Sequence, residues 1–206
     1  TLKLADKAGD EKFIREWQDM PSRVKDSFIK VFWNENVNYL ADYVNEEGQN
    51  LYVRPNQIIA CSLEYSPLSD EMKRDVLDVV KGMLLTPRGL RTLSPRNSLY
   101  KGQYEGNQME RDQAYHQGTV WAWLIGPYIE ANFRLYGKSF AKEAKNLLAG
   151  FEDDMTVYGV CSVNEIYDGN PPFRGHGAMS FAMSVAEVLR ATSIVHKAKC
   201  EMLNAR

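Results

Sequence analysis

Cysteine is scarce in this chain of 206 residues, and the three present, Cys61, Cys161 and Cys200, are odd in number and far apart. A disulfide framework or a zinc cluster needs paired, closely spaced cysteines, so this usage points to reduced thiols and a cytoplasmic setting. An excess of one charge is also missing: 25 basic residues face 27 acidic ones, a net charge of -2. No basic stripe supplies the phosphate-neutralising contribution that nucleic-acid binding requires. No apolar run approaches the roughly twenty residues of a membrane span, and no secretory pattern opens the sequence. Glycine-rich phosphate cradles of the P-loop or dinucleotide kind do not occur. A Gly-x-Ser-x-Gly elbow is absent too, and neither Cys61 nor Cys161 has a histidine beside it in a recognisable pattern, which leaves nucleophilic catalysis without a motif. The expectation is a protein that needs no cofactor and binds neither nucleic acid nor membrane.

What the sequence does have is apolar content, 44%, enough to bury a core in one domain spanning residues 1–206. Helical spacing recurs along it. LKLADKAGD reads as the last turns of a helix closing at Gly9, and a chain beginning inside a helix is expected to continue something longer. From Glu11 to Trp33, the residues Phe13, Trp17, Val24, Phe28 and Val31 or Phe32 keep amphipathic spacing, with Pro21 kinking or splitting the helix. Gln57 to Tyr65 is apolar nearly all round and therefore buried. Ser69 caps a surface helix with Asp70 and Glu71 in its first turn and a stripe of Met72, Val76, Val79 and Met83. Thr119 to Tyr136 is again mostly apolar, Ser139 to Phe151 is amphipathic, and Met179 to His196 is apolar almost throughout.

Three amphipathic helices thus each precede a mostly apolar one. Outer helices with one wet face around inner helices packed on both sides would produce this alternation, an all-α architecture of antiparallel pairs in two layers. Connections alternate as well. Those at Ser66 to Ser69 and Gly137-Lys138 are short, whereas those at Asn34 to Asn56, Leu84 to Gln117 and Glu152 to Gly177 run to about twenty or thirty residues, the length at which loops are usually functional. In an up-down array every second connection lies at the same end. The three long ones therefore gather on one face, at the N-terminal ends of the inner helices, whose free N–H groups point toward any ligand.

The segment from Leu85 to Trp123 is too aromatic for disorder, with Tyr100, Tyr104, Tyr115, Trp121 and Trp123. Its Arg88, Arg91, Arg96, Glu105, Arg111, Asp112, His116 and Gln117 suit a neutral, hydroxyl-rich ligand. Planar hydrogen-bonding groups take the hydroxyls while ring faces cover the C–H faces of a sugar. Asp112 and His116, four apart, would share a face of a helical turn. A hydrogen bond between them that orients substrate contacts is expected, and without further ligand spacing no metal site is. On the predicted helix Trp121 and Trp123 point in directions roughly 200 degrees apart, so one faces the loops while the other packs. Glu165, in SVNEIYDG, lies between Val163 and Ile166, where partial desolvation would suit proton abstraction from water. A turn closing at Asp168-Gly169 is the structural alternative. Glu105 and Asp168 are expected to be solvated carboxylates.

Several blocks together carry a resemblance. RPNQIIACSL, GLRTLSP, YxGxYEGN, RDQAYHQGTVWAWLIGPYIEA, SVNEIYDGNPP and SVAEVLRA resemble, in type and order, the C-terminal region of glycogen debranching enzymes, the amylo-alpha-1,6-glucosidase family. The likeness runs from about Trp17 to Ala191. It implies an (α/α)6 toroid of which this chain is the C-terminal half, and hydrolysis of the α-1,6-linked glucose at branch points with inversion. Inversion uses two carboxyl groups about 6.5 to 9.5 Å apart, an acid for the leaving oxygen and a base for water. By the same resemblance Glu165 is the general base. The family's general acid is an aspartate in a Thr-Trp-Met-Asp block that would lie upstream of Thr1, so the chain alone is expected to be inactive. His116, Gln117, Trp121, Arg91, Arg111 and Asp112 match positions that line or support the glucose pocket. The implied partners are an α-glucan, glycogen or limit dextrin, and the remainder of the parent chain. Ala122 departs from the pattern, which has proline there. Two other functions remain open: a non-catalytic glycan-binding helical domain, or another toroid glucosidase acting on trehalose or trimmed N-glycans.

Overall fold

Helix ends follow the local chemistry closely. In the computed structural model, which describes residues 1–204, α1 (Leu2–Ala8) closes on Gly9 with φ 69, a left-handed conformation that costs glycine nothing. Pro21 splits the next helix instead of kinking it. The helix α2 (Glu11–Trp17) starts where Asp10 Oδ1 accepts the N–H of Phe13. The proline falls in the first turn of α3 (Met20–Phe32), where its missing N–H was unpaired anyway. Neither helix buries a residue completely, and of the expected stripe Phe28 and Phe32 pack on the core while Trp17, Val24 and Val31 are exposed.

Two short hairpins follow, β1 (Trp33–Asn34) with β2 (Tyr39–Leu40), and β3 (Tyr43–Asn45) with β4 (Gly48–Asn50). The chain then enters α4 (Gln57–Ser62) and α5 (Asp70–Met83), the latter capped as expected by Ser69 Oγ on the N–H of Met72. The face α5 buries centres on Val76, Leu77 and Val80, with Met72 and Val79 at its margin. After a long connection come α6 (Gln108–Ala114), α7 (Ile125–Tyr136), α8 (Ala141–Ala149) and α9 (Ala182–Asn204).

The inner helix α7 packs against both α4 and α9, with α5 outside α4 and α7, and α8 outside α9. Tyr128 and Ile129 of α7 are among the most deeply buried side chains, each worth about 1.5–3 kcal/mol of transfer free energy. Arg190 of α9 ties the two inner helices by reaching Glu130 of α7 at 2.5 Å and Glu187 at 2.8 Å. The flanking inner helices keep apolar groups in solvent: Ile59 and Leu63 on the α4 side, Met183 and Leu189 on α9.

The fold is mostly helical, and the all-α expectation needs correcting. Five strands form one antiparallel sheet in sequence order: β5 (Leu85–Thr86), β6 (Gly89–Arg91), β7 (Val120–Trp121), β8 (Ile166–Tyr167) and β9 (Gly175–His176). Its register pairs Leu90 with Trp121, Val120 with Tyr167 and Ile166 with His176. Connections converging on one rim bury their own backbone, and the N–H and C=O groups so buried must find partners in each other. Strands this short show no alternating pattern in sequence. The helix predicted from Thr119 therefore starts only at Ile125, after β7 and a single 3-10 turn over Ala122–Leu124. Trp121 is a strand residue, so the helical angle between it and Trp123 does not apply. Both indoles pack, partly buried, against the core.

Candidate active site

Glu165 sits at the start of β8 and is held by its own backbone and side chain together. Its N–H donates to the Ala178 carbonyl at 2.9 Å, and the Ala178 N–H donates back to Oε2 at 3.0 Å. Gly177, with φ +71, makes room for this: a Cβ there would collide with Glu165 Oε2. The other oxygen, Oε1, accepts a short hydrogen bond from the Tyr115 hydroxyl. The strand is anchored from behind by Asp154, buried, whose Oδ2 accepts from Tyr167 Oη at 2.7 Å and Asn164 Nδ2 at 2.8 Å. Three residues on, Asp168 is buried as well. Its Oδ1 accepts the Tyr104 N–H at 2.8 Å and meets His176 Nε2 at 3.0 Å.

Tyr115 is the residue just past α6, a helix begun by a capping box between Asn107 and Glu110. Its carbonyl accepts Thr119 Oγ1 at 2.7 Å and Trp121 Nε1 at 3.0 Å. Its ring meets those of His116 at 4.7 Å and Trp121 at 4.9 Å, edge to face, and Tyr104 lies at 5.9 Å. His116 is stacked on Trp121, centroids 5.1 Å apart. Burial first, then the hydrogen bond to Glu165, raises the Tyr115 phenol above its ordinary range, so it remains a donor. Burial and then the Arg54 charge lower His116 below the usual imidazole value. Glu165 therefore meets Tyr115 as a hydrogen-bond donor, with His116 and Trp121 packed on that ring. A cleft of about 500 Å³ opens alongside, with His116 and Gln117 in its wall.

The site thus joins a half-exposed carboxylate, fixed by two donors, to an imidazole and an indole through the Tyr115 ring. Residues 1–190 match the family model for amylo-alpha-1,6-glucosidase. The chain belongs to this family. A glycogen debranching enzyme of Saccharomyces cerevisiae is 27% identical over 150 residues, 60% of this chain and 10% of that protein, so the match spans about a tenth of the relative's length. Among solved structures, neutral trehalase Nth1 from Saccharomyces cerevisiae superposes over 88% of this chain and 32% of its own, with a TM-score of 0.61 at 16% identity. That likeness is one of fold.

Within the chain, Glu165, His116 and Trp121 come together around Tyr115. Gln117 turns to the cleft, where its Oε1 holds Arg54 NH2 at 2.8 Å. Arg91 and Arg111 brace loops: Arg91 Nε reaches the Gly169 carbonyl at 2.8 Å, and Arg111 NH1 the Gly106 carbonyl at 2.6 Å. Asp112 accepts from Gln108 Nε2 at 2.7 Å. The expected Asp112–His116 pair is not formed, because α6 ends at Ala114 and the four-residue spacing no longer places the two on one face. Asp168, expected in solvent, is buried, whereas Glu105 is exposed. Sequence reasoning did not single out Tyr115 as a partner of Glu165, nor His176 or Arg54. The adjacency of Tyr115 to His116 was the available signal. Among the described residues no group of three or more His, Cys, Asp and Glu side chains is placed to hold a metal.

Proposed function

We propose that this chain is the C-terminal part of the catalytic ring of a cytoplasmic glycogen-debranching glucosidase. Glu165 is the general base for inverting hydrolysis of α-1,6-linked glucose at the branch points of an α-glucan. The observation that carries this is the carboxylate itself, held by Tyr115 Oη on one oxygen and Ala178 N–H on the other. Each oxygen keeps a further lone pair for an incoming water. Water held there would lose a proton to Glu165 as its oxygen attacks the anomeric carbon. The glycosidic bond breaks on the opposite side, and the leaving oxygen takes its proton from an acid that the rest of the ring supplies.

His116 and Trp121 would cover an apolar sugar face, Gln117 would meet hydroxyls, and Arg91, Arg111 and Asp112 would keep the pocket's loops in place. Exposed apolar side chains on inner helices, Ile59 and Leu63 on the α4 side and Met183 and Leu189 on α9, support a ring completed by more chain. Residues 1–206 are then one helical unit of that ring, inactive by itself. In the longer enzyme, Glu165→Gln is expected to lower glucose release from a branched limit dextrin by roughly 10²- to 10⁴-fold with an unchanged unfolding midpoint. Release near the wild-type rate would remove Glu165 from the mechanism.

A further inference from the structure

The rings beside Glu165 do not end at Tyr115. Tyr104 packs on Tyr115 at 5.9 Å and His176 on Tyr104 at 5.6 Å, so one unbroken run leads from Trp121 and His116 through Tyr115 to His176. His176 lies on β9 opposite Ile166, the residue after Glu165, and just before Gly177, whose missing side chain makes room for the Glu165 carboxylate. The mechanism above draws on one end of this run. Its other end, Tyr104 and His176, has no part in it.

Asp168 aims this histidine. Its Oδ1 lies 3.0 Å from His176 Nε2 and accepts the Tyr104 N–H at 2.8 Å, so one buried oxygen ties both residues to the sheet. A carboxylate only accepts, which puts the proton on Nε2, and in the neutral ring Nδ1 is left with a lone pair. The imidazole is thus fixed in tautomer as well as orientation, while 27% of its side-chain surface stays open to solvent. Among the described residues, neither His176 Nδ1 nor the Tyr104 hydroxyl has a hydrogen-bond partner. Satisfying Asp168 would need one N–H and no second nitrogen. An oriented acceptor beside a phenol, which both donates and accepts, matches two neighbouring hydroxyls of a pyranose, and the Tyr104 ring offers a flat surface for its C–H face. A lone pair set between the carboxylates of Asp168 and Glu165 is a poor partner for an anion.

We propose that His176 is a sugar-binding residue of the Glu165 site: its Nδ1 accepts a hydrogen bond from one hydroxyl of the glucosyl unit, and the Tyr104 hydroxyl meets the next. Asp168 is then a positioning residue that acts through the imidazole. The identity of the sugar rests on the function proposed above; the choice of a hydroxyl donor rests on the tautomer that Asp168 imposes.

The test separates a binding role from that of a strut. His176→Gln can place an amide N–H where Nε2 meets Asp168 but offers no acceptor at the Nδ1 position. In the longer enzyme it should raise KM for a branched limit dextrin roughly fivefold, with kcat nearly constant and the urea midpoint unchanged, as for one hydrogen bond made equally in ground and transition states. Tyr104→Phe should raise KM about twofold. Wild-type KM in His176→Gln would reduce the histidine to a strut, and a loss confined to kcat would overturn the binding role as well. Should His176→Gln fail to fold, heteronuclear NMR of the imidazole nitrogens in the unaltered 206-residue chain decides: the neutral ring should carry its proton on Nε2, and a proton on Nδ1 overturns the proposal. Glu165→Gln is measured alongside. Hydrolysis lost there with KM unmoved in His176→Gln sinks only the histidine; hydrolysis indifferent to Glu165 with KM raised in His176→Gln sinks only the base.

Discussion

Two stretches of the same rim are held in different ways. The stretch carrying Glu165 leads directly into β8, inside a five-stranded sheet, and has buried Asp154 and Asp168 fastened to it from behind. The stretch carrying Tyr43 and Tyr52 is built on a hairpin whose strands, among the described residues, pair only with each other, and every residue of β3 is exposed. A few contacts attach it, among them Arg54 to Asp42 and the Ser94 N–H to the Val53 carbonyl at 3.0 Å. A backbone fastened by buried polar groups on both sides is held more rigidly than one attached at a few points. Local stability is accordingly graded along the rim.

That contrast can be broken at several points. Asp168→Ala strikes the tightly held side hardest, because it leaves the buried N–H of Tyr104 and the ring of His176 without their acceptor. A loss of about 2–3 kcal/mol is expected, read from urea unfolding, and a loss under a few tenths would mean that the sheet does not depend on that anchor. Tyr115→Phe keeps the ring packing and removes one hydrogen bond to a carboxylate. In the longer enzyme it should lower kcat roughly tenfold with KM nearly constant, and a change confined to KM would assign Tyr115 to substrate binding instead.

His116 lies where the two stretches meet. Burial and the Arg54 charge hold it below its ordinary value of 6.5, so as pH falls from 6.5 the unfolded chain takes up that proton before the folded one. Stability should therefore decline with falling pH across this window. The decline is expected to be small because the ring, covered on one face by Trp121, leaves the residue open to solvent on the rest. Equal slopes for wild type and His116→Gln in urea midpoints would refute it. The smallest effect belongs to the hairpin side: Tyr52→Ala should change global stability by no more than about 0.5 kcal/mol, and a larger loss would erase the contrast.

Periodicity reveals α3, α5, α7, α8 and α9 because each is long enough to repeat its pattern, whereas the seven-residue α6, inside a long connection, shows none. Gly9, Pro21 and Ser69 mark helix ends in sequence and in space alike, and the alternation of long and short connections anticipates a shared rim. What stays hidden is tertiary in origin. Val120-Trp121 and Ile166-Tyr167 are strands only because their neighbours across the rim are strands, and two residues cannot show an alternation of their own. The same holds for polar partners. Glu165 stands out through its apolar flanks, but Tyr115 lies fifty positions away, and nothing local indicates that its hydroxyl will reach that carboxylate. Asp112 and His116 show the converse, a spacing that suggests a partnership until the helix ends too early to make it.

The planar head of Arg54 has a consequence for how the rim behaves as one object. Lysine could not substitute for it, since a point charge cannot grip a carboxylate, two carbonyls and an amide in one plane. One side chain thus joins the flank of the β3–β4 hairpin, through Asp42, to the backbone of the imidazole that stacks on Trp121, so the two stretches of the rim share a single fastening.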